Sequence, residues 1–176
     1  MQKSLKSIVT PYGLYMGLAL TFITVIGYAF NLELFTKWWL NIINLLVVLL
    51  FAVLAVKEAK KYKEVYFSFK QAFSAYFIPV AIGTLISTVV SLLIFNVIDP
   101  EAAQQLQEIS VEMTRNMMEK FGVPESDIEN AVAEMSKENP YSLKNYLMGY
   151  IFWLAFYAVV GLIVALIFRE KNPNAV

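Results

Sequence analysis

The chain has 176 residues, 59% of them hydrophobic and only 16% charged, with a formal net charge of zero. An average soluble domain is about 45–50% apolar and about 25% charged, so this apolar excess argues against a water-soluble enzyme and excludes intrinsic disorder. There is no His and no Cys, which removes the commonest metal ligands, thiol nucleophiles, disulfides and imidazole acid–base catalysis.

Four uncharged runs are long enough to cross a bilayer core, which needs about 20 apolar residues as helix. The first spans 8–30. Lys3 and Lys6 precede it as in a secretory signal. It is longer than a signal core, however, and ends in Tyr28-Ala29-Phe30-Asn31 with no small-residue cleavage site, so it reads as a retained span. Gly13-x-x-x-Gly17 within it allows close backbone approach of a second helix. Tyr12, Tyr15 and Tyr28 near its ends suit the headgroup zone.

The second span covers 38–56 and opens on Trp38-Trp39. Asn41 and Asn44 are its only amides, three residues apart on one face. Amides in lipid must find hydrogen bonds, so they either clasp Ser or Thr of spans one or three or line a small polar cavity. Beyond the span, Lys57, Lys60, Lys61 and Lys63 form a basic run that marks topology and favours anionic headgroups.

The third span covers 70–98, its uncharged part beginning near Ala72. Ser68-Phe69-Lys70-Gln71 fits a capping box. Pro79 predicts a bend, either a static kink or a hinge or cavity wall. Gly83, Ser87 and Ser91 form a small-residue ladder suited to helix contact.

Residues 99–144 read as a helical hairpin outside the membrane. Asp99-Pro100-Glu101 is a helix start, and Leu106, Ile109, Met113, Met117 and Phe121 then recur as one apolar stripe. Gly122 fits a stop. A second helix from Pro124-Glu125 carries Ile128, Val132 and Met135 on one face and ends at Asn139-Pro140. The stripe is expected to be covered by that second helix, by the outer span ends or by a docking partner. The fourth span covers 145–168, with Ala158, Gly161 and Ala165 as its small residues.

Charge is segregated. The N-terminal tail, the link between spans two and three, and the C-terminal tail carry +2, +3 and +1, whereas Asp99 to Lys144 holds ten acids against four bases. Positive charge prefers the cytoplasm. Both termini and the basic link are therefore expected inside, and the acidic segment in the periplasm.

The run Ser68-Phe69-Lys70-Gln71-Ala72-Phe73, the small-residue-rich third span and Ile98-Asp99-Pro100-Glu101 lead into the Met-rich double helix and a fourth span ending in Arg169-x-Lys171. Together they resemble a family of small four-span bacterial membrane proteins catalogued as a domain of unknown function. The familiar form often has Gly where this chain has Lys70 or Ala75. The resemblance implies a Gram-negative inner membrane and supplies no catalytic residues. Its members are often encoded beside membrane glycosyltransferases, which implies lipid-linked glycosyl transfer as one setting.

The expected architecture is all-α: a single polytopic domain with four transmembrane helices and an extramembrane helical hairpin between spans three and four. The expected role is a non-enzymatic scaffold or accessory subunit. The alternatives are an accessory to lipid-linked glycosyl transfer and a small transporter or channel. No cofactor, metal or nucleic acid is expected. The expected partners are the lipid bilayer and either another membrane protein or a second copy of the chain.

Overall fold

The computed structural model describes residues 4–62, 66–137 and 140–170. Lys3, Lys63, Glu64, Glu138, Asn139 and Lys171, which enter the charge and helix-end arguments, lie outside the described residues. Every element among those described is helical. In order they are α1 (Leu5–Phe30), a 3-10 turn (Leu32–Thr36), α2 (Trp38–Lys61), α3 (Phe69–Leu93), a π-helical turn (Ile94–Ile98), α4 (Pro100–Lys120), α5 (Glu125–Lys137) and α6 (Leu143–Phe168). Four helical stretches, Leu5–Phe30, Trp38–Lys61, Phe69–Ile98 and Leu143–Phe168, are long and apolar enough to cross a membrane.

Local chemistry sets the helix ends. Ser68 Oγ accepts from Gln71 N at 3.2 Å while Gln71 Oε1 accepts from Ser68 N at 2.9 Å, so the capping box is reciprocal. At the other end of that span, Asp99 N donates to Ile94 O at 2.8 Å, an i→i+5 bond that widens the last turn. Asp99 then faces two ways. Its Oδ1 caps Ala102 N at 3.0 Å, and its Oδ2 accepts from Tyr28 Oη at 2.9 Å, tying α4 to the end of α1.

α3 is the hub. It packs along α1, α2 and α6, and α1 also packs on α2, whereas α6 leans chiefly on α3. The α1–α3 seam is made of glycines. A Cβ on Gly13 would lie 3.0 Å from the Pro79 backbone, one on Gly17 2.9 Å from Ile86, and one on Gly83 2.7 Å from Met16 Sδ. Pro79 is thus buried against α1. The α3–α6 seam rests on Gly161, where a Cβ would meet the Tyr76 ring at 2.7 Å. These positions pack within the chain, as small residues in lipid commonly do.

The two ends of the bundle are fastened differently. On the hairpin side, Phe95 is ringed by Tyr28, Phe35 and Tyr141 at centroid distances of 6.2, 5.7 and 5.6 Å. Tyr28 is therefore half-buried in a cluster shared with Tyr141 and Tyr146 rather than turned outward. On the opposite side, Phe67 N donates to Glu170 Oε2 at 3.0 Å and Glu170 N to Phe67 O at 2.8 Å. Lys60 Nζ bridges to Glu170 Oε1 and to Phe168 O, each at 3.4 Å. Lys60 is thus held by the end of α6, where a cation suits the helix dipole.

The hairpin forms, but its stripe is not covered along its length. α4 ends in a Schellman motif on Gly122 (φ +72°), with Val123 N bonded to Met118 O and Gly122 N to Glu119 O. α5 runs back along α4, joined by Gln107 Nε2 to Met135 O at 3.1 Å and by Arg115 to Glu125 at 2.9 Å. Leu106 is buried with Ala102 and Ala103 against Ile94 and Phe95, and Ile109 is half-buried. Met113, Met117 and Phe121 are 45%, 51% and 81% exposed. Within the chain, then, α5 and the span ends cover only the first half of the stripe, and Met113, Met117 and Phe121 stay open on its outer half.

Candidate functional site

α2 and α6 meet α3 from two sides without closing on each other in the hairpin-side half of the bundle. Between them lies a groove of about 620 Å³. One wall is α2 from Asn41 to Val48, the other α6 from Asn145 to Tyr157, and the floor is α3 from Thr84 to Ser91 with Leu20 and Thr24 of α1. At 1.5 Å rise per residue, the eight α2 residues span about 10 Å and the thirteen of α6 about 18 Å. The groove is thus roughly one leaflet deep. Pro140 and Tyr141 stand at its mouth.

The lining is amphipathic and carries no Asp, Glu, Lys or Arg. Thr84, Ser87, Thr88 and Ser91 all face it. Their spacing of i, i+3, i+4 and i+7 places four hydroxyls on one face of α3. Two lining threonines are satisfied by their own helices: Thr84 donates to Val80 O at 2.6 Å and Thr24 to Leu20 O at 3.1 Å. Tyr150 Oη donates across the seam to Ala81 O at 3.1 Å. At the mouth, Asn96 Nδ2 donates to Tyr141 O at 2.8 Å. Burial raises the Tyr141 phenol above its ordinary range, and a hydrogen bond to Ser110 partly offsets this.

The sequence candidates divide across this geometry. Asn41 and Asn44 line the groove, and neither side chain hydrogen-bonds a described residue. Among the described residues neither amide clasps a Ser or Thr, and both stand on the groove. Ser87 and Ser91 also line the groove, whereas Gly83, their partner in the ladder, turns to α1. Gly13, Gly17 and Pro79 belong to the α1–α3 seam and not to the groove. Thr24, Thr84, Thr88, Asn145 and Tyr150 join the lining without having been candidates on sequence grounds. The available signal was the hydroxyl periodicity of α3, which the Gly-Ser-Ser spacing of four overlaps.

These features define a multi-pass helical membrane protein with an extramembrane hairpin and an uncharged lateral groove. The chain belongs to the family described as "Protein of unknown function (DUF4199)", which matches residues 11–170. No curated protein and no solved structure shows significant similarity to it.

Proposed function

We propose that the chain is a non-enzymatic accessory or scaffold subunit of a bacterial inner membrane, with both termini cytoplasmic and residues 99–144 periplasmic. The groove carries this reading. Its amides, hydroxyls and aromatic rings recognise and hold. Proton relays and coupled transport instead draw on ionisable groups within the membrane, and the groove lining has no Asp, Glu, Lys or Arg. Its depth of one leaflet, with Lys60 and Glu170 joining α2 to the end of α6 on the far side, favours retention of a bound group over passage of a solute.

Purification from native membranes in a mild detergent tests the role. A stable complex with another membrane protein is the expected result, and a glycosyltransferase in it would narrow the role to lipid-linked sugar transfer. Solute flux through liposomes containing only the pure chain would overturn the reading in favour of a transporter or channel.

A further inference from the structure

We propose that the groove between α2 and α6 holds an uncharged lipid with hydroxyl or ester groups at its head, taken sideways from the hairpin-side leaflet. The proposal deepens the accessory reading by naming what the groove retains.

Four observations carry it. The first is position: the groove lies within apolar spans, and its rims Ile42, Phe152 and Trp153 are 44%, 70% and 48% exposed on the faces that meet lipid. The second is unmet polarity. Asn41 and Asn44 bring amides with no described hydrogen-bond partner, beside the hydroxyls of Ser87 and Ser91. In hydrocarbon such groups need a partner, and bare acyl chains offer none. Amides and hydroxyls both donate and accept, which matches hydroxyl and ester oxygens.

The third is size. The volume of about 620 Å³ falls within the range of about 300–1,000 Å³ typical of small-molecule pockets. That is room for a lipid's head and the upper part of its chains, the remainder lying along the exposed rims. The fourth is charge. No base lines the groove to pair with a phosphate. The segment from Asp99 to Lys144 on the same side carries a net −6, which disfavours anionic headgroups at the mouth.

Trp153 in the lining gives the readout. Replacing Trp38→Phe and Trp39→Phe leaves it the sole indole of the three in the chain. The full chain in phosphatidylcholine nanodiscs is titrated with dibrominated diacylglycerol or with dibrominated phosphatidylglycerol, and Trp153 quenching is followed. Half-quenching is expected at a lower mole fraction of diacylglycerol, because no base in the groove lining pairs with the phosphate of phosphatidylglycerol. Adding Asn41→Leu and Asn44→Leu should raise the mole fraction of diacylglycerol needed for half-quenching about five- to tenfold, the scale of two interhelical-type hydrogen bonds. If that variant fails to fold, Ser87→Ala with Ser91→Ala carries the same test.

A control indole at Phe22→Trp, outside the groove lining and 66% exposed in the parent, with Trp153→Phe, should be quenched equally by both lipids. Equal quenching at Trp153, a preference for phosphatidylglycerol, or a half-quenching fraction of diacylglycerol unmoved by loss of the amides and hydroxyls overturns the proposal. A chain that shows the preference yet purifies without a partner would overturn the accessory role and leave the lipid site standing. A complex without the preference would do the reverse.

Discussion

Gly161 and Gly149 lie on the same helix, and what surrounds them sets opposite outcomes for one added methyl group. At Gly161 a Cβ would stand 2.7 Å from Cδ1 of Tyr76, a ring with no exposed surface and no room to swing. At Gly149 it would meet nothing within 4 Å. Gly161→Ala is expected to cost about 1–3 kcal/mol through overpacking, while Gly149→Ala should be neutral or gain up to about 1 kcal/mol from helix propensity. Thermal unfolding in detergent compares them, and equal shifts would mean that the α3–α6 seam is not rigid. Asn44 gives a second residue-scale prediction. A clasp would make Asn44→Leu cost about 0.6 kcal/mol. The amide instead faces the groove without a described partner, so the melting temperature should stay level or rise as an unpartnered polar group is removed, and a clear drop would restore the clasp. Small residues announce close approach, so the packing role of Gly13, Gly17 and Gly83 was legible. The turning of Ser87 and Ser91 away from Gly83 was not, because a spacing of four fits a packing ladder and a polar face equally.

At the scale of elements, α4 and α5 were legible because their signals are local. Asp99 caps, Pro100 opens, and Gly122 supplies the positive φ of the stop. How far the stripe would be covered was not legible. It depends on where α5 lies against α4 and on the π-turn that aims Ala102, Ala103 and Leu106 at Phe95, and both are set by tertiary packing. The consequence is a sharp division along one helix. Leu106 is 1% exposed, so Leu106→Asp buries an unpaired charge and should cost about 3 kcal/mol or more. Met113 and Met117 are about half exposed, so Met113→Asp with Met117→Asp should leave the hairpin folded. Protease digestion of the reconstituted chain reads both. Leu106→Asp should speed cleavage between Asp99 and Lys144 with the four spans intact, and the double variant should digest like the parent. Fast cleavage of the double variant would show that the outer half of the stripe is a packing surface after all.

For the whole molecule, the number of membrane-length helices was legible from uncharged length, whereas their neighbours were not. Helices in lipid are apolar on every side, so no solvent-facing stripe marks which face packs. α6, for instance, exposes Ile151, Phe152, Leu166 and Ile167 while burying Tyr157, Gly161 and Ala165. The fold does fix which ends share a side. The Tyr28–Asp99 bond sets the end of α1 beside the hairpin, and the Glu170–Phe67 pair sets the end of α6 beside the link between α2 and α3. In the proposed orientation, charge decides which side faces the cytoplasm. Nine bases belong to the termini and that link, and five to the opposite side. Because Lys and Arg near span ends are retained inside, and acids contribute little, the nine-to-five bias is the relevant quantity rather than the net charges of +6 and −6. A reporter active only in the periplasm should work when inserted near Asn116 and fail when fused after Val176. A cytoplasm-only reporter should give the mirror result at the same two positions. Activity of the periplasmic reporter after Val176 with silence at Asn116 would invert the molecule, and activity at both would break the pairing of ends made by Glu170 and Phe67.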